Sequence, residues 1–153
     1  MALKTGDQAP DFSALTTDGR TVSLGDFRGR KLVLYFYPMD DTPGCTAQAC
    51  SLRDGAESLR AKDAAVLGVS AQDIATHRRF SEKFKLNFPL LADTDRRVAE
   101  AYGALGSGPL AWLRRRFGFY KRVTYVIDEN GRIAHIIDRP NTNHHAEEVL
   151  QRL

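Results

Sequence analysis

Apolar and polar positions fall into blocks whose period switches along the chain, and the blocks predict strands alternating with helices. Phe12 to Leu15 and Thr21 to Leu24 flank Thr17-Asp18-Gly19, a turn composition that predicts a β-hairpin. Lys31 to Tyr37 is a nearly unbroken apolar, aromatic and β-branched run, the pattern of a central strand covered on both faces. Cys45, Ala49, Leu52, Ala56 and Leu59 then recur at three- and four-residue spacing. They form the apolar stripe of a helix predicted over Thr46 to Arg60.

Ala64 to Ser70 reads as a second buried strand, and Asp73 as the cap of a helix from Ile74 to Lys85. Phe88 to Ala92 is a short strand and Arg96 to Tyr102 a short helix, while Gly106, Gly108 and Pro109 mark 103–118 as irregular. Val123 to Asp128 and Arg132 to Ile137 flank Glu129-Asn130-Gly131, a second hairpin. A final helix spans His145 to Leu153, with Thr142 or Asn143 as its cap. The order predicts an α/β protein: a central mixed sheet flanked by helices, with an N-terminal β-hairpin, compatible with a thioredoxin-like core. No linker or repeat interrupts residues 1–153, which read as a single domain.

Composition narrows the class. A hydrophobic fraction of 42% supports a core without disulfide staples, and two cysteines are too few for a disulfide scaffold. The first residues lack the apolar centre of a signal peptide, and no apolar run has the length of a membrane helix. The expectation is a cytoplasmic protein with reduced thiols and no membrane association. Formal net charge is only +3. Its one concentration is Arg114, Arg115, Arg116, Lys121 and Arg122, interleaved with Trp112, Phe117, Phe119 and Tyr120. A solvated rim is the expected reading of this run, with a nucleic-acid or lipid surface as the alternative.

The two cysteines carry the chemistry. Cys45 follows Thr42-Pro43-Gly44 at the start of a predicted helix, where free amide donors and the helix field favour a thiolate. That field is worth about 1 kcal/mol, too little alone to convert an ordinary thiol mostly to thiolate. A cation from elsewhere in the fold is therefore expected. Cys50 lies five residues on. In an intact helix the two Cα atoms stand roughly 8 to 9 Å apart on different faces. A disulfide needs about 7 Å or less, so the pair can bond only if the first turns unwind. Gly55 weakens the same helix.

Other readings compete. Cys45 sits on the apolar stripe, where a free cysteine is commonly a small hydrophobe. Zinc held by the cysteines with His144 and His145 is disfavoured, because adjacent histidines chelate one tetrahedral ion poorly. Those histidines read as a helix start near the surface. His77 shares a face with Phe80 and Phe84 and reads as a core-edge residue unconnected to the cysteines. A disulfide oxidoreductase would more commonly space its cysteines C-x-x-C.

Pro38-x-x-x-Thr42-x-x-Cys45 resembles the active-site signature of peroxiredoxins. Tyr35-Phe36-Tyr37-Pro38 through Cys45-Thr46, with Cys50, is similar to the bacterioferritin comigratory protein (peroxiredoxin Q) subfamily. Arg122-Val123-Thr124-Tyr125-Val126-Ile127-Asp128 resembles that group's Arg-x-Thr-Phe-x-Ile-Asp strand, and Asn143-His144-His145 also recurs there. The resemblance implies a thiol peroxidase acting on hydrogen peroxide and organic hydroperoxides. Cys45 would be the peroxidatic nucleophile and Cys50 its resolving partner. Thr42 would bind the peroxide, Arg122 would supply the missing cation, and Pro38 would shield the sulfur. A thioredoxin-type dithiol would reduce the resulting disulfide. No metal or cofactor is implied, nucleic acid is not an expected partner, and a monomer suffices. Gln48 stands where many peroxiredoxins have Glu, and on this reading it enters no step. Leu110 to Tyr120 follows no pattern of the family.

Overall fold

A computed structural model describes residues 3–153. Five strands form the main sheet: β3 (Lys31–Phe36), β4 (Ala64–Ser70), β5 (Leu90–Ala92), β6 (Val123–Ile127) and β7 (Ile133–Ile137). A separate hairpin pairs β1 (Ser13–Leu15) with β2 (Thr21–Ser23). The main sheet runs in the order β5-β4-β3-β6-β7. β3 is central, parallel to β4 and antiparallel to β6. The helices are α1 (Pro43–Asp54), α2 (Ala56–Ala61), α3 (Ile74–Phe84), α4 (Arg97–Ala101), α5 (Pro109–Phe117) and α6 (His145–Leu150).

The two-residue period of β3 explains why its sequence lacks alternation. Leu32, Leu34 and Phe36 enter one core layer with Leu67, Tyr102 and Tyr125. Val33 and Tyr35, with Tyr37 beyond the strand, enter the other with Cys45, Ala49, Leu52 and Val126. Both faces are covered, so every position from Leu32 to Tyr37 is apolar and buried.

The helix boundaries correct three sequence expectations. The predicted Thr46–Arg60 helix starts earlier, at Pro43, and divides at Gly55 into α1 and α2. Pro43 occupies the first helical position, where its missing N–H costs nothing. At Gly55 a Cβ would come 2.5 Å from the Cβ of Ala146, so α6 crosses there at a distance only glycine permits. The segment expected to be irregular contains α5. Its Gly and Pro residues are caps: Pro109 opens the helix, and Gly118 closes it in the left-handed region with φ 74°.

Neither Thr142 nor Asn143 caps α6; His144 occupies that position without a capping side chain. Glu148 reaches back instead, accepting from the Asn141 amide at 2.7 Å and holding His145. For α3 the expected cap is present, with Asp73 Oδ1 accepting from the Thr76 amide at 2.9 Å.

Candidate active site

β3 ends at Phe36, and the chain turns through Tyr37, Pro38 and Met39–Thr42 into α1. Asp41 lies in the left-handed region with φ 61°, which lets the turn reverse tightly. The Thr42 hydroxyl donates to the Met39 carbonyl at 2.9 Å and does not cap the helix. That leaves the hydroxyl's acceptor lone pairs and the first-turn amides outside any side-chain cap. Cys45 is the third residue of α1 and only 1% exposed. Cys50 lies further along the same helix, half-buried, and both thiols are free.

Strand pairing brings in the cation. Phe36 pairs with Val123 and Tyr35 with Thr124, so β6 begins where β3 ends. Alternation along β6 places Thr124 and Val126 towards the α1 layer, and Arg122 continues that side. Its Nη1 donates to Gln48 Oε1 at 2.9 Å. Its Nη2 lies 3.1 Å from where a Gly44 Cβ would stand. Gly44 therefore lets the guanidinium approach the helix start, and a side chain there would press against it.

Gln48, expected to take no part, is fully buried and is the residue that orients Arg122. As a neutral acceptor it leaves the guanidinium charge uncompensated, and among the described residues Arg122 makes no ion pair. Its signal in the sequence was position: three residues after Cys45, one turn along the same helix. Tyr35 also faces this layer. Desolvation pushes its phenol pKa up, followed by the repulsion of Asp40 and Cys45, so it stays protonated. Tyr35 Oη and Gln48 Nε2 are buried donors without a hydrogen-bond partner among the described residues. Pro38, Thr42, Cys45 and Arg122 thus gather at one end of the sheet, with Cys50 displaced along α1.

Two histidines take positions the sequence did not suggest. His77 is fully buried rather than at the core edge, and it is tied to the turn before Cys45. Its Nδ1 meets Asp40 Oδ2 at 2.5 Å, and Nε2 meets the Leu91 carbonyl at 3.1 Å. A carbonyl only accepts, so the Nε2 contact is a donor contact from the ring. Tyr37 Oη donates to the other Asp40 oxygen at 2.6 Å. His145 is likewise buried, between Thr124 Oγ1 at 2.8 Å and Glu148 Oε1 at 2.9 Å. Burial pushes its pKa down, against the opposing pull of Glu148. Of the adjacent pair His144 and His145, only His144 sits at the surface as expected, paired with Glu147.

A mixed sheet of this order, with a thiol at the helix start after its central strand, defines a thiol protein of the thioredoxin-like class. Residues 5–136 match the AhpC/TSA family model. The chain belongs to that family, within its Bcp and peroxiredoxin Q group of peroxiredoxins. "Peroxiredoxin Bcp" of Escherichia coli K12 is 41% identical over 148 residues, covering 97% of this chain and 94% of that protein. Rice "Peroxiredoxin Q, chloroplastic" is 42% identical over 88% of this chain and 58% of its own length. The crystal structure of peroxidoxin BcpB from Mycobacterium tuberculosis superposes with a TM-score of 0.86 at 31% identity, covering 98% of this chain and 96% of that one. A Xanthomonas campestris bacterioferritin comigratory protein, described for alkyl peroxide reduction, gives 0.84 at 25% identity over 97% and 94%.

Proposed function

We propose that this peroxiredoxin is a thioredoxin-dependent peroxidase in which Cys45 is oxidised and Cys50 resolves it within the same chain. The observation that supports the reading most strongly is the placement of Cys45 in the first turn of α1, next to Gly44, against which lies the Arg122 guanidinium held by Gln48. The helix field and the Arg122 charge both favour the negative charge that develops as the peroxide bond breaks. The Cys45 thiolate attacks one peroxide oxygen. The sulfur is oxidised to sulfenic acid, and the other oxygen takes a proton and leaves as water or alcohol. Thr42 and Arg122 orient the peroxide, and Pro38 limits access of bulk water to the sulfur.

Resolution follows from the helix geometry. Both cysteines lie in one continuous helix, so α1 must open before Cys50 reaches the sulfenic sulfur. Their condensation forms the disulfide and releases water. An external dithiol then reduces the bond by exchange, which suits a reducing compartment such as the cytoplasm. Because both thiols belong to one chain, turnover asks for no second copy.

The reading is tested by following NADPH consumption with thioredoxin and its reductase, with hydrogen peroxide and an organic hydroperoxide as substrates. Both substrates should drive turnover; no consumption above the rate without protein would refute the assignment. Under the same assay Arg122→Met should lower the oxidation rate by about 10²–10³-fold, the usual cost of removing one donor to a developing anion. A change of less than about threefold would remove Arg122 from the chemistry. Cys50→Ser should still consume one equivalent of peroxide but stop at sulfenic acid. Undiminished thioredoxin-dependent turnover in that variant would exclude Cys50 as the resolving residue.

A further inference from the structure

Helix α5 is put together the wrong way round for a solvent-facing helix. Trp112 is 66% exposed, Leu110 and Phe117 are 57% each, and no residue of the helix is buried. Leu110, Leu113 and Phe117 are spaced three and four residues apart, so they form one apolar stripe, and it points outward. The cations hold the helix down. Arg114 Nη1 donates to the Leu105 carbonyl at 3.2 Å, and Arg115 pairs with Glu100 at 2.6 Å. Arg116 remains exposed beside the stripe, its guanidinium centre 5.4 Å from the Phe117 ring, with no carboxylate partner among the described residues. Phe119, 45% exposed, extends the apolar patch past the helix end. Residues 103–122 contain no acidic side chain.

We propose that α5 docks on the surface of an anionic phospholipid bilayer, its apolar stripe entering the headgroup boundary and Arg116 pairing with lipid phosphate. Leu110, Leu113 and Phe117 on one face, with exposed Arg116 between that face and Trp112, is the composition of an interfacial helix, and the acid-free stretch complements an anionic leaflet. No helix among the described residues is long and apolar enough to cross a membrane, so the association lies on the surface. Nucleic acid would stack on Trp112, Phe117 and Phe119 but leave the aliphatic Leu110 and Leu113 uncovered, whereas a bilayer boundary takes up both kinds of side chain. The docked helix leads through Gly118–Arg122 into β6, whose first residue pairs with Phe36. The bilayer therefore lies at the end of the sheet that carries Cys45. The proposal takes up the lipid-surface alternative to the solvated rim expected for the segment. The proposal does not depend on the peroxidase reading.

Trp112 is the only tryptophan of the chain, so its fluorescence reports this surface directly. The probe is vesicles of phosphatidylglycerol and phosphatidylcholine in equal parts, with pure phosphatidylcholine as control. The anionic vesicles should shift Trp112 emission to the blue and carry the protein in flotation, and raised salt should weaken both effects. Leu113→Asp with Arg116→Glu should weaken vesicle binding about tenfold or more, with hydrogen peroxide turnover unchanged. The proposal is overturned by no shift with anionic vesicles, by equal binding to neutral vesicles, or by undiminished binding of the double variant. A vesicle-independent shift that follows protein concentration assigns the patch to self-association. Tighter binding to a single-stranded oligonucleotide assigns it to nucleic acid. Either result also overturns the proposal. Hydrogen peroxide turnover in the same preparations separates a failed surface from a failed enzyme.

Discussion

Cys45→Ser should abolish peroxide turnover while leaving the fold in place. The expected effect is total because the site supplies only one activated nucleophile. Cys50 is the only other thiol, and it lies beyond the first turn, away from the helix-start field that falls off within that turn. A serine hydroxyl at position 45 would remain protonated beside the same guanidinium, and it is a far weaker nucleophile than a thiolate. The buried hydroxyl costs stability, about 1–3 kcal/mol if it finds no partner. Urea unfolding should therefore accompany the assay. A folded Cys45→Ser protein that still consumes peroxide would place the chemistry elsewhere.

His77→Ala should lower stability by about 3–5 kcal/mol, the usual cost of leaving one partner of a buried pair uncompensated. The Asp40 carboxylate would lose the imidazole at 2.5 Å and keep only the Tyr37 hydroxyl, in a site 7% exposed. The damage should reach function as well, because Asp40 belongs to the turn that delivers Thr42 and Cys45. The Asp40 amide is itself held by Gln72 at 3.1 Å, so the turn is tied both to α3 and to the loop that leads into it. Denaturant titration gives the stability change, and stopped-flow oxidation the rate. A loss below about 1 kcal/mol would mean that the pair contributes little to holding the turn.

Local pattern made much of this protein legible. The continuous apolar run of β3 announced a doubly covered strand, and Asp73 announced the start of α3. Thr42-Pro43-Gly44-Cys45 announced a thiol at a helix start, and the weakness of the helix field announced a cation. What local pattern could not supply was pairing across the chain. Gln48 touches Arg122 only because β6 lies antiparallel to β3 in one register. His77 reaches Asp40 across 37 positions, through the packing of α3 near the end of β3. Gly and Pro in 103–118 read equally well as breakers and as caps, and only the outcome, α5, separates the two uses. The outward face of α5 was beyond reach for a related reason: periodicity reveals an apolar stripe but not which way it turns.

On the proposed mechanism Cys45 at the helix start is oxidised first, assisted by Arg122, and then closes onto Cys50 after α1 opens. Rapid mixing of the reduced protein with one equivalent of hydrogen peroxide, quenched at intervals and mapped by mass, tests it in one measurement. Oxygen should appear on Cys45 first, much faster than on a free thiol, and should give way to a Cys45–Cys50 bond within a single chain. Oxidation at the free-thiol rate, first appearance of oxygen on Cys50, or a bond joining two chains would contradict the account.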